Sequence, residues 1–210
     1  MKITKFGHSC LLVEEGNARI LVDPGSYSTL QNDAENVDAV LITHEHQDHL
    51  NADSVRIIMR NNPKAKIYTN TGVGEKLKAE SIPFELLQDK QSTIIKDVLV
   101  EGFGVDHAMI YPSYPIVRNT GYRIANKFFY GGDSVENIVP CEILAYPAVA
   151  PWMKMEWAID YAKKIKPKMC FPVHDAFLKF PGPFYLAPEK LLGEAGIQWM
   201  VIEEGKSIEV

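Results

Sequence analysis

The sequence predicts an α+β fold in which two mixed β-sheets lie face to face with helices on their outer faces. Two observations lead there. Strand-length apolar runs with few helices between them occur in both halves of the chain. Several of these runs end on a residue able to hold a metal, at Asp23, His44–His49, His107, Asp133 and His174. Delivering polar groups from strand ends of one rigid scaffold is how an open site is usually built. The 210 residues suffice for one domain with a sizeable core, and 1–210 is read as one domain without linker or short-period repeat.

Taken in order, residues 1–6, 10–14 and 18–23 read as three short strands, with turns at Gly7-His8-Ser9 and Glu15-Gly16-Asn17. The third runs into Asp23-Pro24-Gly25, which puts a carboxylate at a strand end beside a sharp turn. Residues 26–38 form a polar loop. The apolar run Ala39-Val40-Leu41-Ile42 reads as a buried strand that Thr43 ends. A helix follows from Asp53 to Arg60, stopped by Asn61-Asn62-Pro63. Lys66–Thr69 is a strand and 73–80 a short helix. Gly72-Val73-Gly74 invites a dinucleotide-loop reading, but position 77 is Leu, so it is taken as a turn.

From Phe84 to Gly104 three runs alternate like antiparallel strands. Residues 121–125 and 127–130 form a hairpin across Asn126, ending at Gly131-Gly132-Asp133-Ser134. Ile143–Tyr146 is a strand, Met155–Ile165 has helical apolar spacing, and Met169–Val173 is a strand that delivers His174-Asp175. The tail holds a helix near 188–195 and two strands.

Composition bounds the function. Hydrophobic residues make up 46% and charged residues 23%, which is ordinary for a globular protein. The longest apolar stretches are strand-sized, so no transmembrane helix is expected. The N-terminus alternates in strand fashion and lacks the apolar middle region of a signal peptide. Cys10, Cys141 and Cys170 are scattered and odd in number, which suggests reduced thiols and a cytoplasmic location. Formal net charge is −5 with Lys and Arg dispersed, which offers no electrostatic footprint for nucleic acid. The expected partner is a small-molecule substrate, with homo-oligomerisation open.

The chemistry concentrates at His44-Glu45-His46-Gln47-Asp48-His49, on the loop leaving a buried strand. Half of the chain's six histidines fall within these six residues. His44 and His46 alternate, so in an extended segment they point the same way and can grip one ion. Asp48 and His49 come one turn later and can face a second. Imidazole nitrogen and carboxylate oxygen suit zinc and similar divalent ions. A zincin is excluded by counting, because Asp48 stands where its second histidine belongs.

The series His44-x-His46-x-Asp48-His49, then His107, Asp133 in Gly-Gly-Asp-Ser, and His174 resembles the metallo-β-lactamase superfamily in that order. Gly7-His8-Ser9, and Ile165-Lys166-Pro167-Lys168 followed by Phe171-Pro172-Val173-His174, look most like its ascorbate-6-phosphate lactonase-like branch. The resemblance implies an αββα sandwich with a two-metal site at one edge. Carried over position by position, His44, His46 and His107 bind one ion. Asp48, His49 and His174 bind the other, and Asp133 bridges them. Asp23 is assigned behind the metals, hydrogen-bonding a ligand histidine, with turn capping as the alternative. The ions are taken as zinc, with manganese or iron as alternatives.

Such a pair of ions, about 3.5–4 Å apart, shares a water and lowers its pKa towards neutrality, and the resulting hydroxide attacks a carbonyl or phosphoryl centre. The implied function is hydrolysis of a small ester, lactone or phosphoester. Asp48 is placed to orient the attacking oxygen and pass a proton to the leaving group. His8, the one histidine outside the metal positions, is assigned to the active site as a hydrogen-bonding group. Arg118, Tyr114 and Trp152, in or beside Pro-rich aromatic loops, are substrate-binding candidates, with a subunit contact as the competing role for those loops. Two other functions compete: a non-catalytic metal-binding or regulatory protein of the same fold, and a di-iron oxidoreductase. The oxidoreductase branch carries a carboxylate where this chain has His46.

Overall fold

The computed structural model describes all 210 residues. The first six strands, β1 (Lys2–Gly7), β2 (Cys10–Glu15), β3 (Ala18–Val22), β4 (Ala39–Ile42), β5 (Lys66–Thr69) and β6 (Glu85–Leu86), form one sheet in chain order. The next seven form the second sheet, from β13 at one edge to β7 at the other: β7 (Ser92–Ile95), β8 (Val98–Phe103), β9 (Gly121–Ile124), β10 (Phe128–Tyr130), β11 (Ile143–Pro147), β12 (Met169–Val173) and β13 (Gln198–Trp199). The last strand, β14 (Ser207–Glu209), returns to pair antiparallel with β1. In both sheets an antiparallel half adjoins a parallel half: β3 to β6 are parallel in the first, β10 to β13 in the second.

Strand alternation sorts side chains into three layers. On β2, Leu11 and Val13 face the second sheet, while Cys10 and Leu12 face outward. The central layer joins Ile20, Val22 and Leu41 to Tyr122, Phe128 and Phe171 of the other sheet. Outside the first sheet, Val40, Ile42 and Ile67 pack on α1 (Ala52–Asn61) and α2 (Thr71–Ala79). Outside the second, Leu144, Tyr146 and Cys170 pack on α3 (Met155–Ile165) and on Leu192 of α4 (Gly182–Gly193). The three cysteines are free, and Cys10 and Cys170 belong to the core. No helix is long and apolar enough to cross a membrane.

Three expectations are corrected. Gly72-Val73-Gly74 is no turn but part of the first turns of α2, which Asn70 caps. Of the three runs from Phe84 to Gly104, only β7 and β8 pair antiparallel. β6 instead pairs parallel with β5, because α2 carries the chain across as a βαβ crossover. The last helix begins at Gly182, well before 188. Pro188 reads locally as a helix start, yet it lies inside α4, and the helix begins beside Pro181 and Pro183, where a missing N–H costs nothing. The polar loop 26–38 also holds one 3-10 turn, Leu30–Asp33, with Gln31 buried.

Candidate metal centre

The site lies where turns and strand ends of both sheets meet. His8 comes from the β1–β2 turn, Asp23 from the end of β3 and His44–His49 from the end of β4. His107 follows β8, Asp133 follows β10 and His174 follows β12. The segment 44–49 coils back on itself, because the His46 carbonyl accepts from the His49 and Leu50 N–H groups. Three of the contributing residues, His8, Asp23 and His174, hold left-handed backbone with φ of 45°, 46° and 59°. Such strain persists only where surrounding contacts over-determine it. Gly132 (φ 61°) also has no room for a side chain, since a Cβ there would stand 2.3 Å from Asn119 Oδ1. That amide oxygen accepts the Asp133 N–H at 3.1 Å.

The seven residues named by order meet in space. Ligand-type atoms of His44, His46 and His107 lie within 4.8 Å of one another, and those of His8, Asp48, His49 and His174 form a second such group. Asp133 stands between them: its Oδ2 is 3.3 Å from His107 Nε2 and 3.2 Å from His174 Nε2, and its Oδ1 is 3.2 Å from His49 Nε2.

Four imidazoles are held from behind. His107 Nδ1 donates to the Ala108 carbonyl at 2.5 Å and His174 Nδ1 to the Val149 carbonyl at 2.7 Å. His49 Nδ1 donates to Asp23 Oδ2 at 2.7 Å. Thr43 Oγ1 gives its proton to the same Asp23 oxygen at 2.6 Å and lies 3.1 Å from His44 Nδ1, whose N–H it can then accept. With each Nδ1 so engaged, the Nε2 atoms face the cluster, and all four are buried without a hydrogen-bond partner. Asp133 Oδ1 is buried and unpartnered as well. Five inward-facing orphaned nitrogen and oxygen atoms, against the rule that buried polar groups are paired, fit a set of metal-ion donors.

Charges divide the histidines. Burial, then the neighbouring His49, pushes His44 well below the ordinary imidazole range, and burial, then His107, lowers His46. Burial also pulls on His49 and His174. There the carboxylates win: Asp133 and Asp23 raise His49 well above its usual value, and Asp133 and Asp48 push His174 up to about 9. Burial would raise Asp48, but the neighbouring His174 ring and the hydrogen bond from His8 outweigh it and hold the carboxyl far below its usual range.

Asp23 is fully buried, and it orients His49 directly and His44 through Thr43. His8 is 3% exposed, with Nε2 3.2 Å from Asp48 Oδ2. Trp152 differs from expectation: it is 4% exposed, and its indole N–H donates to Asp133 Oδ2 at 2.9 Å, so it steadies a carboxylate of the cluster instead of lining a substrate wall. Arg118 pairs with Asp106 at 3.1 Å and lines a cavity beside Asn70, Thr71 and Gln88. Tyr114 stands exposed in the turn that begins at Tyr111. Sequence reasoning missed the roles of Thr43 and of Tyr130, whose hydroxyl lies 3.2 Å from His49 Nδ1. It also missed Lys5, whose buried ammonium pairs with Asp175 at 2.5 Å beside His174.

The family model described as Beta-lactamase superfamily domain matches residues 2–174. A Mycobacterium tuberculosis protein, Protein Rv0786c, is 34% identical over 186 residues, covering 85% of each chain. A UPF0173 metal-dependent hydrolase of Geobacillus thermodenitrificans is 42% identical over 66 residues, 30% of this chain and 29% of its own. Among solved structures, Igni18, a metallo hydrolase from the archaeon Ignicoccus hospitalis, superposes with a TM-score of 0.76 at 22% identity, covering 100% of this chain and 98% of that one.

Proposed function

The chain belongs to the beta-lactamase superfamily and is a metal-dependent hydrolase of the metallo-β-lactamase fold, and from that premise we propose that its centre takes two divalent ions and cleaves a small ester, lactone or phosphoester. His44, His46 and His107 would hold one ion. Asp48, His49 and His174 would hold the other, with Asp133 shared between them. The observation that carries this reading is the set of four buried Nε2 atoms, each without a hydrogen-bond partner and each steered inward by a hydrogen bond at Nδ1. When bound, such ions supply an ionised water near neutral pH and a Lewis acid for the oxygen under attack. Zinc is the ion we infer first, and manganese or iron suits the same donors.

The chain's own residues do the rest. Asp48, 13% exposed in its side chain, stays ionised and is the carboxylate of the cluster nearest solvent. It can accept a proton from the attacking oxygen and deliver one to the departing oxygen. His8 holds Asp48, and Trp152 and Asn119 hold Asp133. The test is elemental analysis of the purified protein, together with hydrolysis of a lactone, carboxylester and phosphodiester panel before and after chelation. Two metal equivalents and a chelator-sensitive activity are expected. No bound metal after reconstitution, or activity indifferent to chelation, would sink the reading.

A further inference from the structure

We propose that Tyr27 and Phe177 form a subsite for a flat apolar group of the substrate, so that the preferred substrate bears an aryl group beside its scissile bond. The proposal rests on the hydrolase reading above and adds the substrate class.

The two rings come from separate loops that also carry site residues, one following Asp23 and the other following His174. Their centroids are 5.4 Å apart and their planes cross at 87°. Each also packs edge to face on the buried His8 ring, at 5.2 Å. Phe177 reaches His174 as well, at 5.5 Å. Scattered exposed aromatics are ordinary on a surface. A pair converging at right angles on two imidazoles of one site is a shaped corner.

That corner is half filled. Phe177 is 52% exposed and Tyr27 39% exposed, while His8 beneath them is 3% exposed. A T-shaped pair offers one free ring face and one free edge, the arrangement a third ring takes up at 4.5–7 Å between centroids. The exposed surfaces of the two rings are apolar, and a flat apolar group matches them.

The experiment compares methyl acetate, phenyl acetate (ring on the departing oxygen), methyl phenylacetate (ring on the acyl side) and phenyl phosphate, using the metal-loaded protein. In wild type, at least one aryl ester should exceed methyl acetate in kcat/KM. Phe177→Ala and Tyr27→Ala should each lower that preference by about 3- to 10-fold, mainly through KM, the range expected for one aromatic contact. Ile94→Ala, an exposed residue on the distant edge strand β7, should keep it. Which aryl ester responds tells which end of the substrate lies in the corner. Ligand-observed NMR with phenol gives a readout independent of turnover, and Phe177→Ala should weaken phenol binding by a similar factor. An unchanged preference with unchanged phenol binding overturns the proposal. So does hydrolysis of methyl acetate as fast as that of every aryl compound. An altered oligomeric state of Phe177→Ala with the preference intact would also overturn it, by making the ring an interface between copies. If wild type cleaves none of the four compounds, simple esters are removed from the proposed function, and phenol binding alone upholds or overturns the subsite.

Discussion

His8 donates its Nε2–H to Asp48 Oδ2 across 3.2 Å, and the direction of that bond is set from behind, because the Ala176 N–H occupies His8 Nδ1 at 3.2 Å. A ring that accepts at Nδ1 must carry its proton on Nε2 when neutral. His8→Ala should therefore give a folded protein with both metals and turnover reduced about 10–100-fold, the usual effect of losing such a supporting partner. Metal content and kcat measured together decide it. Wild-type turnover would make His8 a bystander, and loss of a whole metal equivalent would make it a ligand.

Asp23 serves two histidines at once. Asp23→Asn keeps the volume but offers one acceptor oxygen where Thr43 N, Thr43 Oγ1 and His49 Nδ1 now share two. Metal affinity should fall about 10–100-fold at both positions. Thr43→Val should weaken the His44 side more than the His49 side. A competition titration with a chromophoric chelator reads both, and equal losses for the two ions in Thr43→Val would refute the relay through Thr43.

Asp48→Asn removes a ligand charge and a proton carrier together. The protein should fold, hold less of the second ion and lose at least about 100-fold in kcat. Unchanged turnover on any accepted substrate removes Asp48 from the mechanism.

The metal-stripped protein should become less stable as pH rises from about 6.5 to 9. His49 and His174 have folded-state pKa values raised above the unfolded one, His174 to about 9. Their contribution is fully present below about 6.5 and is lost as pH climbs through the folded values. His44 and His46 are lowered, so their contribution is lost on the acid side instead. Metal binding displaces the protons on His49 and His174, so the gap in Tm between loaded and stripped protein should widen with pH. Thermal unfolding at several pH values checks this, and a constant gap contradicts it.

Gly25→Ala should misplace the metal loop. A Cβ at Gly25 would lie 1.8 Å from the Asp48 carbonyl oxygen and 2.6 Å from the His49 nitrogen, both backbone atoms. The Ser26 N–H donates to the Gln47 carbonyl at 2.8 Å, so the two segments cannot part without losing that bond as well. A drop of at least about 2 kcal/mol in stability, or loss of metal at normal stability, is expected. Denaturant unfolding and metal analysis that match wild type would show that the backbone yields.

The sequence by itself determined the layered fold and the residue types at its rim. Both are local properties. A strand's period of two writes its buried face into alternate positions, as Leu11 and Val13 against Cys10 and Leu12 do. Imidazoles and carboxylates at strand ends declare their chemistry wherever the chain goes. The helix Met155–Ile165 was legible for the same reason, since spacing and a following proline bound it. Its neighbour α4 was not, because Pro188 reads locally as a start while packing on β13 carries the helix through it.

What only the tertiary structure decided is which groups stand behind the site. Trp152 reaches Asp133 across 19 positions, Tyr130 reaches His49 across 81, and Lys5 reaches Asp175 across 170. No period or motif links such pairs: the first forms beyond the ends of neighbouring strands of one sheet, and the other two exist only once the two sheets have packed. The same packing turned Arg118 towards Asp106 and closed Trp152 under the cluster, and it brought Tyr27 and Phe177 onto His8. Residue type shows what a side chain can do, but the direction it faces is set by partners that are remote in sequence.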